Sequence, residues 1–322
     1  MKKRGLTIVV LVIVLVIITV IVVDFLNNRP DRRSANPYAL KVEHFKDVDP
    51  ELISHKEIRK LSLGSLKGSA IVYAEGKLFV AGDSSLVIMG PDGSSPQRFT
   101  IDPLPTCLLV EEQAVFVGYK SYVAQYSREI KLVKRWDDLG DRAVITNLAG
   151  NGEKVYVADA GNRKVSIYNH EGDVLGAFEG KSESEAGHGF IVPSANFDLA
   201  VNDFGELWVV NPGKHAMENY SDDGRMRGFW ENASFDIDGF LGCCNPARIT
   251  VMDNGSFVTS EKGMVRIKIY DQSGQLLSVV APPDLFKEEG KAPDVCCDEK
   301  GVVYALDFDL NSIRIFEPKA DE

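Results

Sequence analysis

Two pairs of adjacent cysteines invite a chemical reading. Residues 239–246 read GFLGCCNP and residues 294–298 read DVCCD, and the chain holds only one other cysteine, Cys107. Thiols at this density can ligate a metal, close disulfides or pass electrons, and they can equally fill small apolar sites. Four-cysteine metal clusters normally use Cys-x-x-Cys spacing, and neither doublet has it. Among the five histidines, only His188 and His215 fall where they could share a site. No His-Glu-x-x-His or Gly-x-Ser-x-Gly motif occurs, and Gly187-His188-Gly189 lacks the third glycine of a dinucleotide fingerprint. Asp307-Phe308-Asp309-Leu310-Asn311 imitates the start of a calcium loop. Ser312 then stands where the glycine belongs and Pro318 where the glutamate belongs, so a solvated turn is expected.

Which of these groups meet depends on the elements that carry them. Leu6 to Val23 is a run of eighteen uncharged residues, nearly all Val, Ile and Leu. As a helix it would be about 27 Å long, close to the hydrocarbon thickness of a bilayer. The run exceeds a typical signal-peptide core and no small-residue cleavage site follows, so residues 1–23 read as an uncleaved signal anchor. Lys2, Lys3 and Arg4 favour a cytoplasmic N-terminus and an exterior location for the rest. Residues 24–56 are polar and read as a stalk. With those three basic residues set aside, 33 Lys and Arg face 47 Asp and Glu, a net charge of −14. Such a surface repels phosphate backbones, and nucleic acid is not an expected partner.

The remainder repeats. Residues 198–211, DLAVNDFGELWVVN, align without a gap on residues 294–307, DVCCDEKGVVYALD, and on residues 248–261, RITVMDNGSFVTSE. Each reads strand, tight polar turn, strand. A second hairpin follows each one, and Tyr168, Tyr220 and Tyr270 recur at spacings of 52 and 50. Counting gives units near 69–100, 106–136, 144–178, 196–230, 247–280 and 293–316. The sixth lacks a fourth strand, which residues 57–63 can supply. The fold class expected for residues 57–322 is therefore all-β, a six-bladed β-propeller closed by an N-terminal strand.

Residues 155–168, VYVADAGNRKVSIY, resemble an NHL repeat: an aliphatic-aromatic strand, Asp, two residues, Asn, Arg and a second strand. Asn211-Pro212-Gly213-Lys214, Glu261-Lys262-Gly263-Met264 and Asp307 with Asn311 and Arg314 keep parts of the pattern, whereas the first two units hardly match. The resemblance covers roughly the last 180 residues. It implies a propeller of the NHL, TolB-like kind, used mostly for binding and occasionally for catalysis.

In such a ring the loops leading into each blade share the top face with the loops between second and third strands. The lead-in loops of blades 4, 5 and 6, at 179–195, 231–246 and 281–293, are long, and long ordered loops are usually functional. They carry His188, Cys243, Cys244 and Asn245, beside Asn211, Lys214, His215, Glu261, Lys262 and Asp307. These ten residues form the expected binding face for a protein partner or a small polar ligand. Asp83, Tyr119 and Asp159 mark the equivalent strand ends elsewhere, where Asp and Asn also cap their own turns. Cys107, Cys296 and Cys297 fall in inner strands and read as small core residues. Cys243 and Cys244 could pair with each other, reach Cys296 or Cys297, or serve a redox role in an oxidising compartment. No cofactor is expected. A rival enzyme reading, a lyase or lactonase, would place a divalent metal on Asn211, Glu261 and Asp307 with His188 or His215 as base.

Overall fold

The computed structural model describes residues 2–27, 45–181 and 189–320, so His188 lies outside the described residues. The chain separates into two units, Met1–Val42 and Glu43–Glu322. The apolar run forms a helix, Lys2–Asn27, in which the Thr19 hydroxyl donates back to the Leu15 carbonyl. Among the described residues no helix is long and apolar enough to cross a membrane. The side chains at positions 6, 7, 9 and 10, inside the run, lie outside those described.

In the second unit, strands with buried residues on both faces alternate with polar turns, and this pattern cannot be satisfied by a single sheet. The solution is six four-stranded sheets, each stacked against the next. Blades 1 to 5 run Gly68–Thr100, Cys107–Arg135, Ile145–Phe178, Leu199–Glu231 and Arg248–Ala281. Blade 6 combines Asp294–Cys297, Val303–Asp307 and Ser312–Pro318 with a fourth strand from the other end of the unit, His55–Ser62. That strand pairs antiparallel with Ser312–Pro318, from His55 opposite Pro318 to Ser62 opposite Ser312. The split closing blade expected from the repeat is thus present.

Six apolar clusters hold the ring, one at each junction between neighbouring blades. Val165, Ile167, Leu207 and Val209 join blades 3 and 4, for example, and Val80, Met89, Leu306 and Ile313 join blades 1 and 6. Second strands such as Leu207–Asn211 are buried along their whole length, because neighbours cover both faces. The outer strand of blade 2, Leu132–Arg135, is exposed throughout. Ahead of the closing strand, Phe45 packs on Phe235 with centroids 5.3 Å apart, and the Lys46 ammonium lies 2.8 Å from the Glu288 carboxylate. The chain therefore meets the lead-in loops of blades 5 and 6 before it descends beside Val279 to the closing strand.

Candidate functional site

The residues at the ends of the second strands face inward and act as fasteners. Asp159 accepts the N–H of Val144, Gly161 and Asn162 through one oxygen. Asn211 accepts the Ile191 N–H at 2.8 Å and donates to the Gly189 carbonyl and the Glu218 carboxylate. Glu261 accepts the Leu241 N–H at 3.0 Å, and Asp307 accepts those of Asp309 and Leu310. In blades 3, 4 and 5 these side chains clip the blade's own lead-in loop to its sheet. All four are buried, contrary to the expected open polar rim. The reason lies seven residues further on, in the third strand, where Ser166, Glu218, Lys268 and Arg314 are buried beside them.

Blade 5 has the densest of these nodes. Glu261, Arg266 and Lys268 are each 0% exposed. The Arg266 guanidinium meets both Glu261 oxygens at 2.9 and 2.8 Å, and the Lys268 ammonium lies 2.9 Å from one of them. The remaining donors of the two cations reach carbonyls of Asp236, Ile237 and Gly239 in the lead-in loop. Burial pulls the Lys268 ammonium below its usual range, against the attraction of Glu261. Burial opposes ionisation of Glu261 too, but the two cations win and hold it low.

Fixed in this way, the loop presents its tip outward. Cys243 is exposed, whereas Cys244 is buried with φ +74°, and all five cysteines are free. Asn245 is 1% exposed and staples the loop: its amide donates to the Leu241 and Lys262 carbonyls and its oxygen accepts the Lys262 N–H. His215 Nδ1 donates to the Asn245 carbonyl at 2.9 Å, a bond that places a proton on Nδ1. Lys214 is half-buried with its ammonium 3.8 Å from Glu218. Cys107 and Cys296 are buried core residues, and Cys296 and Cys297 join different apolar clusters, as alternation along a strand requires. Burial pushes the Cys107 and Cys297 thiols up to about 12.

Between the tips of the lead-in loops of blades 5 and 6 lies a hollow of about 620 Å³. Its wall includes Asn196, Cys243, Arg248, Lys262, Glu289 and Lys291. A neighbouring hollow of about 370 Å³ is bordered by His215, Phe235 and again Cys243. The structure thus brings Cys243, Asn245 and Lys262 to one cavity and His215 to the next. Asn211, Glu261 and Asp307 remain apart in their own blades. Among the described residues, no group of three or more His, Cys, Asp and Glu side chains is placed to hold a metal ion.

The floor of the hollow is formed by a residue outside the expected binding face. Arg248 lines both the hollow and the central channel, a cavity of about 360 Å³ walled by the six inner strands. Its Nη1 donates to the Thr146 carbonyl on blade 3 at 3.2 Å, and its Nε faces Asp294 at 3.9 Å. Asp198 closes the group, accepting the N–H of Ile249 at 2.8 Å, that of Leu199, and the Asn147 amide. The sequence carries a signal for this cluster: Asp198, Arg248 and Asp294 occupy one column of the aligned repeat, with the charge sign alternating.

Burial pushes the Asp198 carboxyl up to about 7; Asp294 adds to the rise, and Arg248 and the Ile249 N–H oppose it. A folded-state value above the unfolded one means that the unfolded chain ionises first. The contribution of Asp198 to stability is therefore whole below about pH 4 and declines as the pH rises to about 7. Asp198→Asn should be free of that decline. In denaturant unfolding, the stability of the variant relative to the parent is expected to rise by a few kcal/mol between about pH 4.5 and about pH 7.5, with a limiting slope of about 1.4 kcal/mol for each step of one in pH. A difference that stays constant with pH would show that Asp198 does not titrate in this way.

No family model matches the chain, and no curated protein matches it in sequence. Solved structures do match. A virginiamycin B lyase from Staphylococcus aureus superposes with a TM-score of 0.56 at 10% identity, covering 81% of this chain and 99% of that one. The chain is a six-bladed β-propeller. A streptogramin B lyase gives a TM-score of 0.53 at 11% identity, covering 81% of this propeller chain and 97% of the lyase. A protein of unknown function from Bacteroides thetaiotaomicron gives 0.58 at 15% identity, covering 82% and 72%. At such identities the likeness to the propeller is one of fold alone.

Proposed function

We propose that the protein is a membrane-tethered, extracytoplasmic propeller of the NHL kind, which binds a small polar ligand in the hollow over blades 4 to 6. The tether reading rests on the uncharged run from Leu6 to Val23, its helical form and the basic residues ahead of it. The binding reading rests on one observation above all. The hollow of about 620 Å³ has walls held from behind by buried polar nodes, so its shape is set before any ligand arrives.

The test uses the full chain, extracted with detergent from carbonate-washed membranes, in which it is expected to remain. A library of small polar fragments is screened by thermal unfolding. Fragments that raise the transition temperature of the parent are expected to lose their effect in Cys243→Trp, which puts a large ring at the exposed border of both hollows. Fragments that stabilise parent and variant alike, or a library without a stabilising member, would remove this reading.

A further inference from the structure

Charge is distributed unevenly around the hollow. In a chain of net charge −11, its wall carries three cations, Arg248, Lys262 and Lys291, against one carboxylate, Glu289. Leu241, Ala292 and Phe308 add an apolar side to the same cavity. Among the described residues the Lys262 ammonium is held only by a 3.5 Å contact to Ser194, and Lys291 is exposed. Arg248 is the most constrained of the three, with a side chain only 15% exposed. Its Nη1 is spent on Thr146, and Asp294 at 3.9 Å neutralises charge without making a hydrogen bond. A guanidinium has five N–H donors in a rigid fork that matches a carboxylate, so donors remain at the floor of the hollow.

We infer that the ligand is a small organic acid, its carboxylate held by Arg248 with help from Lys262 and Lys291, and its apolar part lying against Leu241, Ala292 and Phe308. The inference rests on the hollow being the binding site, and it adds the chemical class. Mixed walls of this kind sort ligands by charge at one end and by shape at the other. A neutral amide of the same shape would leave the fork without its charge-assisted partner. Asp294, which also borders the channel, faces Arg248 from that side, and the charge of Asp198 adds to its attraction.

The experiment follows alkylation of Cys243 by N-ethylmaleimide, because this is the one exposed thiol and it lies on the wall of the hollow. The full chain is incubated with matched probes, phenylacetate against phenylacetamide and succinate against succinamide. The acid of a pair is expected to slow alkylation at concentrations about tenfold to a hundredfold below those its amide requires. In Arg248→Lys, which keeps the charge and loses the fork, that preference should shrink about tenfold. Lys262→Gln combined with Lys291→Gln changes only wall cations and should shrink it as well, with the unfolding temperature of the parent. Equal protection by acid and amide would overturn the carboxylate assignment and leave the site standing. Protection only by fragments that carry no acid would do the same. Failure of every probe and every fragment to protect Cys243 would take the site with it.

Discussion

Glu261→Ala is expected to cost about 3–5 kcal/mol. The cost comes from what stays behind. Arg266 and Lys268, both fully buried, would face each other 0% exposed with their shared carboxylate gone. The Leu241 N–H would lose its acceptor at the same time. Converting the whole triad to apolar residues, which in other buried ion clusters restores stability, should fail here. The two cations also satisfy the carbonyls of Asp236, Ile237 and Gly239, and these would be orphaned. The substitution has a local signature too. With its anchor cut, the loop from Phe235 to Asn245 should expose Cys244, so that maleimide labels two thiols where the parent offers one. Denaturant unfolding and mass-spectrometric counting of labels check both statements. A stable variant with a single label would show that the node does not hold the loop.

The second large effect concerns the closing blade. Arg314 is fully buried, and both its Nε and its Nη2 meet the Glu57 carboxylate at 2.8 Å. Its Nη1 donates to the Leu285 carbonyl at 2.7 Å and lies 3.5 Å from Asp307, while the guanidinium sits 4.4 Å from the centre of the Phe286 ring. Glu57 belongs to the strand that closes the ring, so this fork ties the two ends of the domain by side chains as well as by backbone. Arg314→Met is expected to cost about 3–5 kcal/mol, because two carboxylates of low exposure would then lack a counter-charge. For a domain of this size that loss lowers the unfolding temperature by on the order of 10 °C. Glu57→Gln should cost less, and the double variant less than the sum of the singles. Limited proteolysis should release the segment ahead of Gly68 from Arg314→Met before it cuts elsewhere. Strictly additive losses would mean that the pair is not coupled.

Much of the architecture is legible because a propeller writes its geometry into a repeat. The column of Tyr168, Tyr220 and Tyr270 marks the ends of third strands, and the missing fourth strand of the last unit points to residues 57–63. The fate of the thiols follows from register alone, since Cys107 and Cys296 replace inner-strand core residues. Orientation at the strand ends is less visible. The repeat puts Asn211, Glu261 and Asp307 on the right loops, but polar side chains at turns ordinarily face solvent, and these do not. Their buried partners Glu218, Lys268 and Arg314 stand seven residues further on, and a charge or amide complement at that spacing marks an inward-facing pair. Arg248 escapes notice for a similar reason. A single arginine at the start of a strand reads as surface until Asp198 and Asp294, in the same column, reveal three charges of alternating sign on blades 4, 5 and 6.

The stitched last blade has a consequence for how the molecule is made. His55–Ser62 leaves the ribosome about 250 residues before Ser312–Pro318, the strand it pairs with, so it spends the birth of five sheets as a lone ribbon with bare amides and carbonyls. Its sequence, HKEIRKLS, is studded with charges of both signs, the standard deterrent to promiscuous pairing between ribbons. Lys56, Glu57, Arg59 and Lys60 thus have an early duty as guards. When the final ribbon arrives, Glu57 changes duty and becomes the latch that receives Arg314.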